Sequence, residues 1–205
     1  MDVDISYLPA HYFSSDPDNG GFFPFAIEGP TNYVFDIGNI YLPDDGDRWL
    51  PMWMKNLSAF PLYCCMEVPS YWKEEFEEIC KSNHIAYKSL AYKKKSDMKI
   101  AEVHGLKQFQ MLLPFCITIG SSNSLALWST NRAAFSVEKR KWKGNWFKKF
   151  DDSVVVHLEE GSSVFWIGYD GTSIAVISNN HLFSTYEKLI STFPEYMKPT
   201  FWELE

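Results

Sequence analysis

Cys116 is the residue in this chain whose type and setting come nearest to covalent chemistry. A thiol becomes a nucleophile when an imidazole takes its proton, and His157 and His181 both follow it in sequence. The three together define a hydrolase or transferase reading in which the site is assembled from distant loops. Against it, Cys116 lies between Phe115 and Ile117, and apolar burial raises a thiol's pKa and leaves it inert.

Other constellations are weaker. Cys64 and Cys65 are adjacent, so in a strand they point to opposite faces and share neither a bridge nor a metal. With no C-x-x-C and no histidine at zinc spacing, the four cysteines read as free thiols, and neither metal nor cofactor is expected. Gly120-Ser121-Ser122-Asn123-Ser124 follows a strand-like run, where an anion cradle would sit, but reads as a flexible loop. Asp44, Asp45 and Asp47 lack the alternation and the final Glu of an EF-hand loop.

Charge carries more information. Residues 1–47 hold nine acids and no Lys or Arg, so they stand at −9, while the remainder is +2 (19 bases against 17 acids). Lys139, Arg140, Lys141, Lys143, Lys148 and Lys149 crowd beside Trp142, Trp146 and Phe147. Such a segment suits phosphates and bases, yet a net charge of −7 and a pI near 5.3 argue against nucleic acid. The asymmetry fits an acidic segment folded back on the basic one, or a basic protein partner met by Asp16, Asp18, Asp44, Asp45 and Asp47. The expected function is a non-catalytic protein-binding domain of the kind exemplified by acidic immunity proteins that inhibit toxin nucleases. That comparison rests on charge and size and matches no motif.

The elements that must position these residues follow from patterning. The chain has 205 residues and 46% hydrophobic content, which fits one α+β domain over 1–205 with a real core. Aromatics reach 17%, so that core is built largely from rings. Residues 1–48 are dense in turn chemistry and read as a loop-rich acidic segment wrapping the core, with short strands at 22–27 and 33–37. An apolar run at 61–68 reads as a buried strand, followed by a helix from Ser70 with Trp72, Phe76, Ile79 and Cys80 on one stripe. A strand at 85–92, a helix at 97–112 ended by Pro114, and strands at 115–119, 125–128 and 135–142 come next.

Asp170-Gly171 joins two runs of strand formers and predicts a type I′ hairpin. Asn180 then caps a last amphipathic helix. The sum is a mixed or antiparallel sheet with about three helices, ending in a β-hairpin and an amphipathic helix. The acidic start and the lack of a long apolar run predict a soluble, cytoplasmic protein without a membrane anchor.

Overall fold

A computed structural model describes residues 1–9, 23–92, 96–141 and 150–202. Its strands are β1 (Asp2–Tyr7), β2 (Ala26–Glu28), β3 (Tyr33–Gly38), β4 (Leu62–Pro69), β5 (Ala86–Ala91), β6 (Ser96–Val103), β7 (Ala126–Ser129), β8 (Phe135–Lys141), β9 (Phe150–His157), β10 (Ser163–Ile167), β11 (Ile174–Ser178) and β12 (Lys198–Phe201). Its helices are α1 (Leu42–Asn56), α2 (Lys73–Ser82), α3 (Leu106–Ser121) and the short α4 (Tyr186–Ile190). Nine strands form one sheet in the order β12-β1-β3-β11-β10-β7-β4-β6-β5, antiparallel throughout except for the β1–β12 pair. The other three form a small sheet in the order β2-β9-β8. This is a mixed α+β architecture.

The large sheet is covered on both faces, which explains why its central strands are apolar at nearly every position. On one side Trp49, Trp53, Phe109 and Phe115 of α1 and α3 pack on Phe165, Trp128 and Cys64. On the other, Phe23, Phe25, Ile27, Phe135, Val154 and Val156 bring the small sheet against Trp166, Leu127 and Cys65. The adjacent cysteines do face opposite ways. Stacked rings run through the first core, with Trp128 and Phe165 parallel at 5.6 Å and Trp53 edge-on to Phe165 at 5.4 Å.

Several expected elements are present. The 61–68 run is β4, the 85–92 run is β5, and 125–128 is β7. Tyr169–Thr172 is a type I′ turn in which Asp170 (φ 58°) and Gly171 (φ 69°) both lie in the left-handed region. Thr172 N–H closes it on the Tyr169 carbonyl at 3.3 Å. Asn180 accepts from Leu182 N–H as a cap, although of a 3-10 turn, while Thr185 caps α4.

Other expectations need correction. The described part of 1–48 is not loop-rich: it supplies β1, β2, β3 and the first half of α1. Pro43-Asp44-Asp45-Gly46-Asp47 is the beginning of α1, because proline fits the first helical positions and acids suit the first turn. Gly46 then allows a close crossing, since a Cβ there would sit 2.9 Å from Ile117 Cδ1. The helix expected at 97–112 is β6 followed by α3, divided at Gly105. The strand expected at 115–119 belongs to α3, which carries Pro114 inside it.

Candidate functional sites

Burial has sealed the thiols. All four cysteines are free and buried, and the Cys116 thiol contacts Met66 Sδ at 3.3 Å. A hydrogen bond with Cys116 and burial push the Cys64 thiol well up, burial pushes Cys65 up, and Cys80 is pushed up to about 12 by burial. His181 is exposed on the 3-10 turn after β11, and His157 is on β9 in the small sheet. Among the described residues neither imidazole bonds a thiol. The structure therefore does not assemble Cys116 with His157 or His181.

His157 has different company. On the face of the small sheet turned away from the core, alternation along β2, β8 and β9 gathers Glu28, Ser136, Glu138, Arg140 and His157. Ser136 Oγ lies 2.8 Å from His157 Nε2 and donates to Glu138 Oε1 at 3.2 Å. His157 Nδ1 is 3.4 Å from Glu28 Oε2. Arg140 bridges both carboxylates, bonding Glu28 directly and Glu138 Oε2 at 2.8 Å. That guanidinium holds the Glu28 carboxyl below the usual carboxylate range. Ligand atoms of Glu28, Glu138 and His157 lie within 4.8 Å of one another, a spacing a divalent ion could use. Arg140 already occupies the cation's electrostatic place between the two carboxylates, so a metal would have to displace it.

A second assembly lies at one end of the helix layer. α1 begins against the C-terminal half of α3, through Gly46 and Ile117, and the chain just past its end reaches α3's start, with Phe60 6.1 Å from Phe109. α2 also runs antiparallel to α3: Phe76 meets Phe115 at 5.8 Å, and Gln108 Nε2 donates to the Asn83 and His84 carbonyls at 3.2 and 3.1 Å. The first turns of α1 and α2 thus share the end at which α3 finishes. There Asp44, Asp47, Glu74, Glu75 and Asp170 are exposed, while Asp45 is half-buried and pairs with Arg48 at 3.4 Å. Asp44, Asp45 and Asp47, expected in a loop, sit instead at the start of helix α1. Asp16 and Asp18 lie outside the described residues, as does the basic-aromatic stretch from Trp142 to Lys149.

Residues 120–124, expected as a loop after a strand, lie at this same end. They are the C-terminal end of α3 and the turn after it, where carbonyls point outward and the macrodipole is negative. This is a place for a cation, the reverse of an anion cradle. A cavity of about 130 Å³ opens beside it, lined by Glu67, Tyr92, Asn123, Ser124, Trp166 and Tyr169 among others. No sequence signal joined these positions, which come from four separate segments.

No family model matches this chain, and no curated protein or solved structure matches it either. Among the described residues no helix is long and apolar enough to cross a membrane.

Proposed function

We propose that this chain is a protein-binding domain that meets a basic partner through the acidic end of its helix layer, in the manner of an immunity-type inhibitor. The observation that supports it is that exposed Asp44 and Asp47 of α1, Glu74 and Glu75 of α2 and Asp170 all lie at the end of the helix layer where α3 finishes, outnumbering exposed Arg48 and Lys73 there. Part of this charge has a local cause, because Asp44, Asp45, Glu74 and Glu75 each complement a helix N-terminus, a contribution of roughly 0.3–1 kcal/mol. Helix capping does not account for Asp47 and Asp170 at the same end. A carboxylate-rich surface of this kind raises association rates with a basic partner and does so less as salt screens it. The experiment is affinity capture from the native cell by the wild-type chain and by a charge-reversed Asp44→Lys, Asp47→Lys, Glu74→Lys variant. A basic protein held by the first and released by the second supports the reading.

A hydrolase is the second reading, favoured by the 2.8 Å contact between Ser136 Oγ and His157 Nε2. Here Ser136, and not Cys116, is the nucleophile: its hydroxyl proton passes to Nε2 as Oγ attacks an ester carbonyl, then returns to the leaving alkoxide. Glu28 on Nδ1 stabilises the imidazolium, and Arg140 orients Glu28. Glu138 at 3.2 Å competes for the same hydroxyl proton. Fluorophosphonate labelling that disappears in Ser136→Ala supports this second reading; equal labelling of both proteins removes it.

A further inference from the structure

The small sheet sets Glu28, Glu138 and His157 on its three strands β2, β8 and β9, with Glu28 directly opposite His157 in the register. All three side chains are half-buried, so solvent still reaches them. Paired strands hold such side chains more firmly than a loop does. No spacing rule along the sequence reveals the set, because its members come from separate strands.

The proton arrangement sets two acceptors face to face. Ser136 has one hydroxyl proton, and the Glu138 carboxylate, with Oε1 at 3.2 Å, can only accept it. With that proton directed to Glu138, Ser136 Oγ accepts from the Nε2–H of His157 at 2.8 Å. A neutral imidazole then turns its Nδ1 lone pair towards Glu28 Oε2, 3.4 Å away. A metal-bound histidine is held in the same manner, with one nitrogen on the ion and the other N–H on a fixed acceptor.

Arg140 meets the two carboxylates incompletely. Its Nη2 serves both Glu28 and Glu138, so neither receives the two-pronged contact that a guanidinium makes best. Its Nε is buried without a hydrogen-bond partner among the described residues. With the imidazole neutral, one guanidinium against two carboxylates leaves the cluster negative, whereas a dication balances it. The guanidinium also has a second place to go. Asp151 stands directly opposite Arg140 on β9, on the same face and exposed.

We propose that Glu28, Glu138 and His157 bind one zinc-type divalent ion, which enters as Arg140 turns to Asp151. The ligand atoms lie within 4.8 Å of one another. Small side-chain rotations bring them to the separation of about 3.3 Å that follows from tetrahedral zinc bonds of roughly 2.0–2.1 Å. An imidazole nitrogen among the ligands favours zinc over magnesium or calcium, which take oxygen. Three protein ligands leave the fourth position to water. Ser136 keeps both of its bonds and orients His157 and Glu138 as ligands. An ion on His157 takes the base away from Ser136, so metal binding and the hydrolase reading exclude each other.

The test titrates Zn²⁺ and Co²⁺ onto the chelator-treated full chain, followed by calorimetry and by the cobalt d–d spectrum. A single equivalent should bind, without the sulfur-to-cobalt charge-transfer band that the cysteines would give. His157→Gln and Glu28→Gln should abolish binding while keeping native circular dichroism. Arg140→Gln removes the competing cation and should tighten binding roughly tenfold, a gain that misfolding cannot produce. No saturable binding by the wild type, equal binding by His157→Gln, or no gain in Arg140→Gln overturns the inference. All three variants leave Asp44, Asp47 and Glu74 in place, so the result stands apart from the role proposed for the acidic end.

Discussion

Asn123 and Asp170 hold each other through two hydrogen bonds. Asn123 Nδ2 donates to Asp170 Oδ1 at 3.0 Å, and the Asp170 backbone N–H donates to Asn123 Oδ1 at 2.9 Å. Both residues take positive φ, 60° and 58°, so each ends its own element in a left-handed turn. The clasp ties the end of α3 to the β10–β11 turn, which sets Tyr169 beside Trp166.

Asn123→Ala removes both bonds and places a residue less tolerant of positive φ in the turn. A loss of about 1–2 kcal/mol is expected. Denaturant titration measures it, with faster amide exchange across 168–173 as the local signature. Unchanged exchange there would show that the turn holds its shape without the clasp.

Asp36 gives the protein a pH dependence of definite sign. Burial raises its carboxyl from 3.8 to about 6, against a lowering hydrogen bond with Ser173, and its Oδ1 is buried without a partner. The folded protein therefore holds the proton more tightly than the unfolded chain does. Stability is fully present below pH 3.8, falls as pH rises through about 6, and is level above that. The shift corresponds to roughly 3 kcal/mol. Asp36→Asn should flatten this slope and raise stability at neutral pH, measured by urea unfolding across the window; a slope identical to wild type would assign it to another group.

The thiols should be silent in the native state. Cys64, Cys65, Cys80 and Cys116 are all buried, with the first three pushed towards the protonated form. A thiol-reactive chromophore should therefore label none of them before unfolding and all four after it. Fast labelling of Cys116 in the native protein would reopen the nucleophile assigned to it from sequence.

Arg140 is the counter-charge that lets Glu28 and Glu138 face each other across β9. Arg140→Gln leaves two carboxylates beside one imidazole. A loss of about 1–2 kcal/mol is expected at neutral pH, reduced by partial exposure of the carboxylates. Adding Glu28→Gln should recover part of it, which a double-mutant cycle reads directly.

Much of the fold was legible from local pattern. The Asp170-Gly171 turn and the apolar runs of β4 and β7 carry their own signals within a few residues. α1 was hidden because Pro43, Asp44 and Gly46 favour turns as well as helix starts, and the deciding contact, Gly46 on Ile117, is remote in sequence. β6 and α3 were confused because short apolar runs fit both periods until packing on both faces of the sheet decides. Asp44, Asp45 and Asp47 were visible as acids. That Glu74, Glu75 and Asp170 share their end of the helix layer was not, since only the antiparallel packing of α1 and α2 on α3 and the turn at Gly171 place them there. Ser136 beside His157 was equally invisible, because it depends on strand register in the small sheet.

The central claim concerns the acidic end, and one measurement tests it most directly: the affinity of the captured partner for the wild-type chain and for the Asp44→Lys, Asp47→Lys, Glu74→Lys variant, each at low and moderate salt. The account predicts tight, salt-sensitive binding by the wild type and a large loss in the variant, with both proteins equally folded by circular dichroism. Equal affinities at both salt concentrations would contradict it and place any interface elsewhere on the molecule.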